Sequence, residues 1–545
     1  MMMRLRRMGV KSWLALTFVL FLVGEIAALD STRQRATATP IQHLVIIFQE
    51  NASFDSRFGV YPRAANPPGQ PTFYAKPRTP SVNGLTETLL LYNPNESNPF
   101  RIDRNNSYTC DQNHEYADEQ LARNGGLMNQ YVQYGAQGPG HAGQFCHKNN
   151  NGNFDTDMGY FDGNTVTALW NYAQHFALAD NFFATVAGES SRGALNLAAG
   201  DVFGAVCGPP TESLVYVDNG GTVPQCGGPV ASTATPAPTN GTLGTLVDDV
   251  DPYWDICSES NTTVAFTGRN IGDLLNAAGV TWGWFQGGFA LSTDGTCSSS
   301  HVREAYDRVV GIDPATDPNR LQDYVPHHNP FQYFASTANP QHLPPTSVAM
   351  IGRTDQANHL YDLSWFWEAA QADLLPAVSF LKAPQYQNGH PGKSDPLDEQ
   401  VFLVEILNRL QQLRAWRNMA VIIAWDDSDG WYDHVMPPIV NHSQTPLDFQ
   451  CGDASDGPGA RCGYGPRLPF LVISPYAKQN YVSRVLMDQT SILRFIEDNW
   501  LSGERISNLS FDNKAGSVLD MFTFPHRNAG RLFLNPTSGV PIRRP

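Results

Sequence analysis

The sequence predicts an α/β fold, a mostly parallel sheet between helical layers, and two observations carry that prediction. Short apolar, β-branched runs read as strands covered on both faces, and helical patterns lie between them along the chain. The strand runs are Leu44–Phe48, Val280–Gln286, Ala377–Leu381, Ala420–Trp425 and Leu468–Ser474. The clearest helix is SDPLDEQVFLVEILNRLQQLRAW. Ser394 or Asp395 caps it, Pro396 suits its first turn, and Leu403, Ile406, Leu407, Leu410 and Leu413 form one apolar face. NIGDLLNAAG ends on Gly279, as helices commonly do, and QTSILRFIEDNW is a third candidate. Polar, Gly- and Pro-rich stretches at 61–110, 205–260 and 290–345 read as insertions over this core.

The N-terminus reads as a targeting segment. MMMRLRRMGVKS is basic, Trp13–Val23 is apolar but too short to span a bilayer, and Ala28 is a small residue suited to cleavage. The expectation is a signal peptide over 1–28, one domain with insertions over 29–545, a secreted or periplasmic location and no membrane span once the leader is removed. Eight cysteines without a C-x-x-C spacing point to disulfides. Pairing in sequence order is expected: Cys110–Cys146, Cys207–Cys226, Cys257–Cys297 and Cys451–Cys462. Glycosylation sequons occur at Asn95, Asn105, Asn240, Asn261, Asn441 and Asn508. With 36 basic against 52 acidic residues the chain carries a formal charge of −16, which argues against nucleic acid as a partner.

In a parallel sheet, ligands bind beyond the carboxyl ends of the strands. Two predicted strands end there in oxygen donors. HLVIIFQENASFDSRFG breaks from its apolar run into Glu50 and Asn51, and AVIIAWDDSDGWYDHV breaks into Asp426 and Asp427. Adjacent buried carboxylates repel unless a cation or proton lies between them. Four converging oxygens suit one hard divalent ion such as Mg²⁺, Ca²⁺ or Mn²⁺, with Zn²⁺ kept open. An EF-hand is excluded, because aligning Gly430 with the loop glycine puts Trp425 and Met436 at the terminal ligand positions. DNFFATVAGESSRGALNLAAG places Ser190 and Ser191 before a helix of small residues, where a nucleophile would meet free N–H groups; a plain serine cap is the rival reading. His114, His327, His328 and His390 lie in polar loops, as candidates for phosphate binding or leaving-group protonation.

These stretches resemble one family. HLVIIFQENASFDSRFG is similar to the E-N-x-S-F-D signature of the secreted phosphoesterases that include bacterial acid phosphatases and non-haemolytic phospholipases C. GESSRGALNLAAG resembles their nucleophile segment and AVIIAWDDSDGWYDHVMPP their paired-aspartate strand, and the likeness runs over roughly residues 40 to 525. It implies an alkaline-phosphatase-like three-layer sandwich and a phosphate-ester substrate. It also implies a single divalent metal on Glu50, Asn51, Ser190, Asp426 and Asp427, with Ser190 forming a phosphoseryl intermediate. His114, His327, His328 and His390 would surround the phosphate. A ligand role would bury Asn51, so its own sequon is discounted. Where the family often has prolines this chain has Glu189 and Arg192; Arg192 either adds a phosphate contact or turns away. The chain ends soon after DMFTF, and the family's phospholipases C typically continue into β-rich modules. The expectation is therefore a metal-dependent acid phosphatase. The alternatives are a phospholipase C-like diesterase, for which TWGWFQGGF could furnish choline-binding aromatics although core packing is its expected role, and a non-catalytic binding protein.

Overall fold

The apolar runs become the middle of an eight-stranded sheet. The computed structural model describes residues 37–140, 143–207, 244–258, 263–297, 322–444, 448–449, 451–452 and 459–543. The strands are β1 (His43–Gln49), β2 (Ala177–Ala179), β3 (Trp282–Gln286), β4 (Leu360–Asp362), β5 (Val378–Lys382), β6 (Met419–Trp425), β7 (Phe470–Ile473) and β8 (Tyr481–Ser483). Their order across the sheet is β4-β3-β5-β1-β6-β7-β2-β8. Only β7 runs antiparallel to its neighbours, so the sheet is mixed but mostly parallel. Every residue of β3, β5, β6 and β7 is buried, which requires cover on both faces.

Helices supply that cover. Thr167–His175 (α1) packs with Pro396–Leu410 (α5), while Ser190–Ala199 (α2) packs with Ile271–Ala278 (α3) and Thr490–Trp500 (α6); Leu363–Gln371 (α4) lies on β3 and β4. Asp395, not Ser394, caps α5, its carboxylate accepting from the N–H groups of Leu397 and Asp398. The helix stops at Leu410 and a 3₁₀ turn takes over at Arg414, so Leu413 falls outside the α-helix and only partly joins the core. Asn270 and Asp273 form a reciprocal capping box on α3, which closes on Gly279 at φ 66°. Part of the 205–260 stretch joins a second sheet, ordered Gly244–Thr245, Phe203–Cys207, Thr263–Phe266, Asp251–Pro252. Its apolar side shares a cluster with Leu195 of α2 and Tyr333.

Three of the expected disulfides are present, Cys110–Cys146, Cys257–Cys297 and Cys451–Cys462; the fourth and the leader lie outside the described residues. Among the described residues no helix is long and apolar enough to cross a membrane. Two sequons are closed by the fold: the buried amides of Asn95 and Asn441 donate to the Met128 and Arg461 carbonyls. Trp282, Trp284 and Phe285 of TWGWFQGGF are core residues with no exposure, in keeping with core packing as their expected role.

Asp395 also accepts from Ser107 Oγ at 2.7 Å and so ties a loop to the start of α5. Asp395→Ala should lower stability by about 1–2 kcal/mol, the cost of a lost N-cap. Equilibrium denaturation of the two proteins measures it; an unchanged midpoint would show that the cap contributes nothing.

Candidate active site

β5, β1 and β6 lie side by side at the centre of the sheet, and their carboxyl ends build the site. Gln49 pairs with Trp425 in register, so Glu50 and Asp426 leave the sheet next to each other. The Ala52 N–H donates to the Asp427 carbonyl at 3.0 Å, which holds the two strand ends together beyond the ladder. The Glu50 N–H donates to Asn388 O at 3.0 Å and draws in the loop that carries His390.

Ser190 is the first residue of α2. Its hydroxyl donates to Asp427 Oδ2 at 2.8 Å and lies 3.2 Å from Glu50 Oε2. Ser191 faces elsewhere: its N–H donates to Asp249 and its Oγ lies 3.5 Å from the Tyr333 hydroxyl. Of the two serines, only Ser190 addresses Glu50 and Asp427. The approach depends on Gly193, where a Cβ would stand 2.2 Å from the Asp426 carbonyl oxygen. Only a residue without a side chain lets α2 lie so close to the end of β6.

Asn51 is buried, and its Nδ2 points to Asp429 Oδ1 at 3.4 Å and His114 Nε2 at 3.5 Å. Its Oδ1 has no hydrogen-bond partner. That oxygen, with Glu50 Oε2, Asp427 Oδ2 and Ser190 Oγ, is a donor set suited to a hard cation. Asp426 is placed differently from the rest of the expected ligand set: Oδ1 accepts from the Asp427 N–H and Oδ2 lies 3.0 Å from Lys382 Nζ. Lys382, the last residue of β5, also pairs with Glu50 Oε1. Burial pushes the Asp426 carboxyl well above its ordinary pKa and Asp427 up to about 6, Glu50 adding to both. Glu50 itself is held well below the usual range, burial being outweighed by His328 and Lys382.

The four histidines separate into two kinds. His114 Nδ1 donates to the Gln112 carbonyl at 2.8 Å; burial is outweighed by Asp427 and Asp429, which hold its pKa well above 6.5. His327 lies between Asp249 and Asp251, at 3.4 and 3.3 Å, and these raise its pKa against burial. His328 donates from Nδ1 to Glu50 Oε1 at 2.9 Å, and burial pushes it down to about 3. His390 donates to its neighbour's carbonyl and is pushed down by burial to about 4. A shared acid-side titration of all four is therefore not what the geometry provides.

For Arg192 the structure takes the second of the two alternatives that the sequence left open. Its guanidinium donates to the carbonyls of Leu246 and Ala460 at 3.0 and 2.6 Å and stacks on Tyr116, so it clamps outer loops and turns from the phosphate position. Glu189 accepts from the Asp249 N–H, and burial with Asp249 pushes its pKa up to about 8. Lys382 and Glu119 escaped the sequence reading. Glu119 joins the Gly188 N–H to Ser428 Oγ, both at 2.7 Å, and so locks the turn before Ser190 to the aspartate loop. Lys382 carried a usable signal: it ends an apolar strand, as Glu50 and Asp426 follow theirs.

Three groups bring possible metal-binding atoms together among the described residues. Cys257 of Asp255–Cys257–His342 is tied up in a disulfide. Asp55, Asp433 and His434 are already matched by Arg467, which bonds both carboxylates at 3.1 Å. His114, His390 and Asp429 adjoin the Ser190 cluster through Asn51.

The model of the Phosphoesterase family matches residues 41–501. The chain belongs to that family, enzymes that hydrolyse phosphate ester bonds. It is 25% identical over 488 residues to the non-hemolytic phospholipase C of Burkholderia pseudomallei, covering 87% of this chain and 57% of that protein. Against the non-hemolytic phospholipase C of Pseudomonas aeruginosa it is 22% identical over 525 residues, 92% of this chain and 60% of the relative. Phospholipase C A of Mycobacterium tuberculosis is 24% identical over 507 residues, 89% of this chain and 78% of the relative. The chain thus spans about three fifths of the length of the first two.

In this phosphoesterase, Gly193→Ala should cost at least about tenfold in kcat/KM, because the Cβ forces α2 and Ser190 off the strand end. Steady-state kinetics, with far-UV circular dichroism to confirm folding, measures it. Full activity of a folded variant would mean that the close approach is dispensable.

Proposed function

We propose that this chain is a phosphodiesterase of the phospholipase C type on an alkaline-phosphatase-like sandwich, exported to an oxidising compartment, with Ser190 as nucleophile. The observation that carries the diester reading is the scarcity of free positive charge at the site. A phosphomonoester brings up to two negative charges, a diester one. Arg192 is committed to carbonyls and Lys382 to two carboxylates, while His328 and His390 are neutral near pH 7. Only His114 and His327 are left as charged histidines, and both are already matched by aspartates, so the positive lining that a monoesterase needs is thin. The names of the relatives point the same way, and together they move the reading from acid phosphatase to phosphodiesterase. The disulfides support export.

Glu50, Asn51, Ser190 and Asp427 would hold one divalent ion, whose chemistry is to lower the Ser190 pKa and screen the incoming phosphate. The buried, unpartnered Asn51 Oδ1 is the observation that favours an ion there. Asp427 Oδ2 already accepts the Ser190 hydroxyl and takes its proton as Oγ attacks phosphorus. The bond to the leaving alkoxide breaks, and a phosphodiester remains on Ser190. His114, held protonated by Asp427 and Asp429, is the acid that supplies the alkoxide with a proton. Water then gives a proton to His114 as it attacks the same phosphorus, Asp427 returns its proton to Ser190 Oγ, and the headgroup leaves as its phosphate monoester.

p-Nitrophenyl phosphorylcholine should be cleaved with a kcat/KM at least about tenfold above that of p-nitrophenyl phosphate on one metal-replete preparation near pH 7. Equal values, or the reverse order, would return the reading to a phosphomonoesterase.

A further inference from the structure

One buried cation takes no part in the displacement just described. Lys382 is fully buried, with its ammonium paired to Glu50 Oε1 and to Asp426 Oδ2 at 3.0 Å. His328 Nδ1 reaches the same Glu50 oxygen at 2.9 Å. The ammonium also stands 5.3 Å from the centre of the Phe48 ring on the neighbouring strand β1. Glu50 therefore has two faces: Oε1 turns to Lys382 and His328, while Oε2 turns to Ser190.

We propose that Lys382 is a positioning residue that occupies the place of a second metal ion and so fixes the site at one divalent cation. The inference rests on the metal reading given under the proposed function. Glu50, Asp426 and Asp427 bring three negative charges when ionised, and Lys382 removes one. The remaining charge is the amount that a single divalent ion neutralises. The ammonium also holds Asp426 by Oδ2, while its Oδ1 is held by the Asp427 N–H. Asp426 thereby braces the site through Lys382, and the ion is left to Glu50 Oε2, Asn51, Ser190 and Asp427. Take the ammonium away, and Glu50 Oε1 and Asp426 Oδ2 are left facing each other across its place, two carboxylate oxygens of the kind that first-row divalent ions accept.

The test counts ions. The full chain, Lys382→Met and the double variant Lys382→Met with Asp426→Asn are stripped of metal, equilibrated with Mn²⁺, desalted and analysed for manganese per chain. Wild type should hold one ion, Lys382→Met two, and the double variant one, because it loses a positive and a negative charge together. Metal-free melting temperatures run beside this: Lys382→Met should melt below wild type, and adding Asp426→Asn should recover part of the loss. Two ions in wild type, or one in a folded Lys382→Met, would overturn the proposal. If Lys382→Met cannot be recovered folded, the double variant decides. A folded double variant with one ion supports the charge match, and an unfolded one overturns it. A wild type that binds no ion removes the metal reading itself, a result distinct from a wrong count.

Discussion

Carboxylates buried side by side repel one another, and the site stands on the way that repulsion is contained. Glu50, Asp426 and Asp427 emerge together because β1 and β6 run parallel and in register to their last residues. Register is fixed by strands whose faces are both buried, where a slip of one residue would expose an apolar set. The fold thus forces like charges together, and Lys382 at the end of β5 is the fixed charge that meets them. What remains is a strained electrostatic balance that favours a further cation and an acidic hydroxyl. Ser190 is the hydroxyl placed there.

Several parts of the molecule keep this arrangement from relaxing. Gly193 lets α2 press on the Asp426 carbonyl, and Glu119 ties the Gly188 turn to the aspartate loop. Farther out, Arg467 bonds Asp55 and Asp433, which follow β1 and β6 respectively, and His434 donates to Asp55 from its backbone and from Nδ1 at 2.6 Å. The two loops that carry the acidic residues are therefore joined at both ends of their excursion. All of these links but the His434 contacts are buried, and so act in a medium where a misplaced charge costs far more than in water.

The core was legible because its strands are long and apolar: all five predicted runs are strands of the sheet, and all three predicted helices are helices. β2, β4 and β8 were not legible, since three residues are too few to show a pattern and their pairing is set by neighbours. The strand-end rule brought Glu50, Asn51, Asp426 and Asp427 together before any geometry was known, and the family resemblance added Ser190 to them. It could not show which carboxylate oxygen faces which partner, and so it missed that Asp426 belongs first to Lys382. A lysine at the end of an apolar run marks a strand end, but it is the adjacency of three strands that makes it an internal cation. Arg192 misled for the opposite reason: its nearness in sequence to Ser190 suggested phosphate, but the helix turns its side chain toward carbonyls of two loops distant in sequence. The histidines were grouped by residue type, whereas burial and the carboxylates beside each decide their charge.

The central claim is that Ser190, lodged among these carboxylates, is the group that takes the phosphorus. The most direct measurement is to mix the enzyme with p-nitrophenyl phosphorylcholine for a single turnover, quench it in acid, and map the modified peptide by mass spectrometry. A phosphorylcholine adduct on Ser190, absent in Ser190→Ala, is the predicted result. An adduct on Ser191 or on a histidine, or turnover of Ser190→Ala at the wild-type rate, would contradict it.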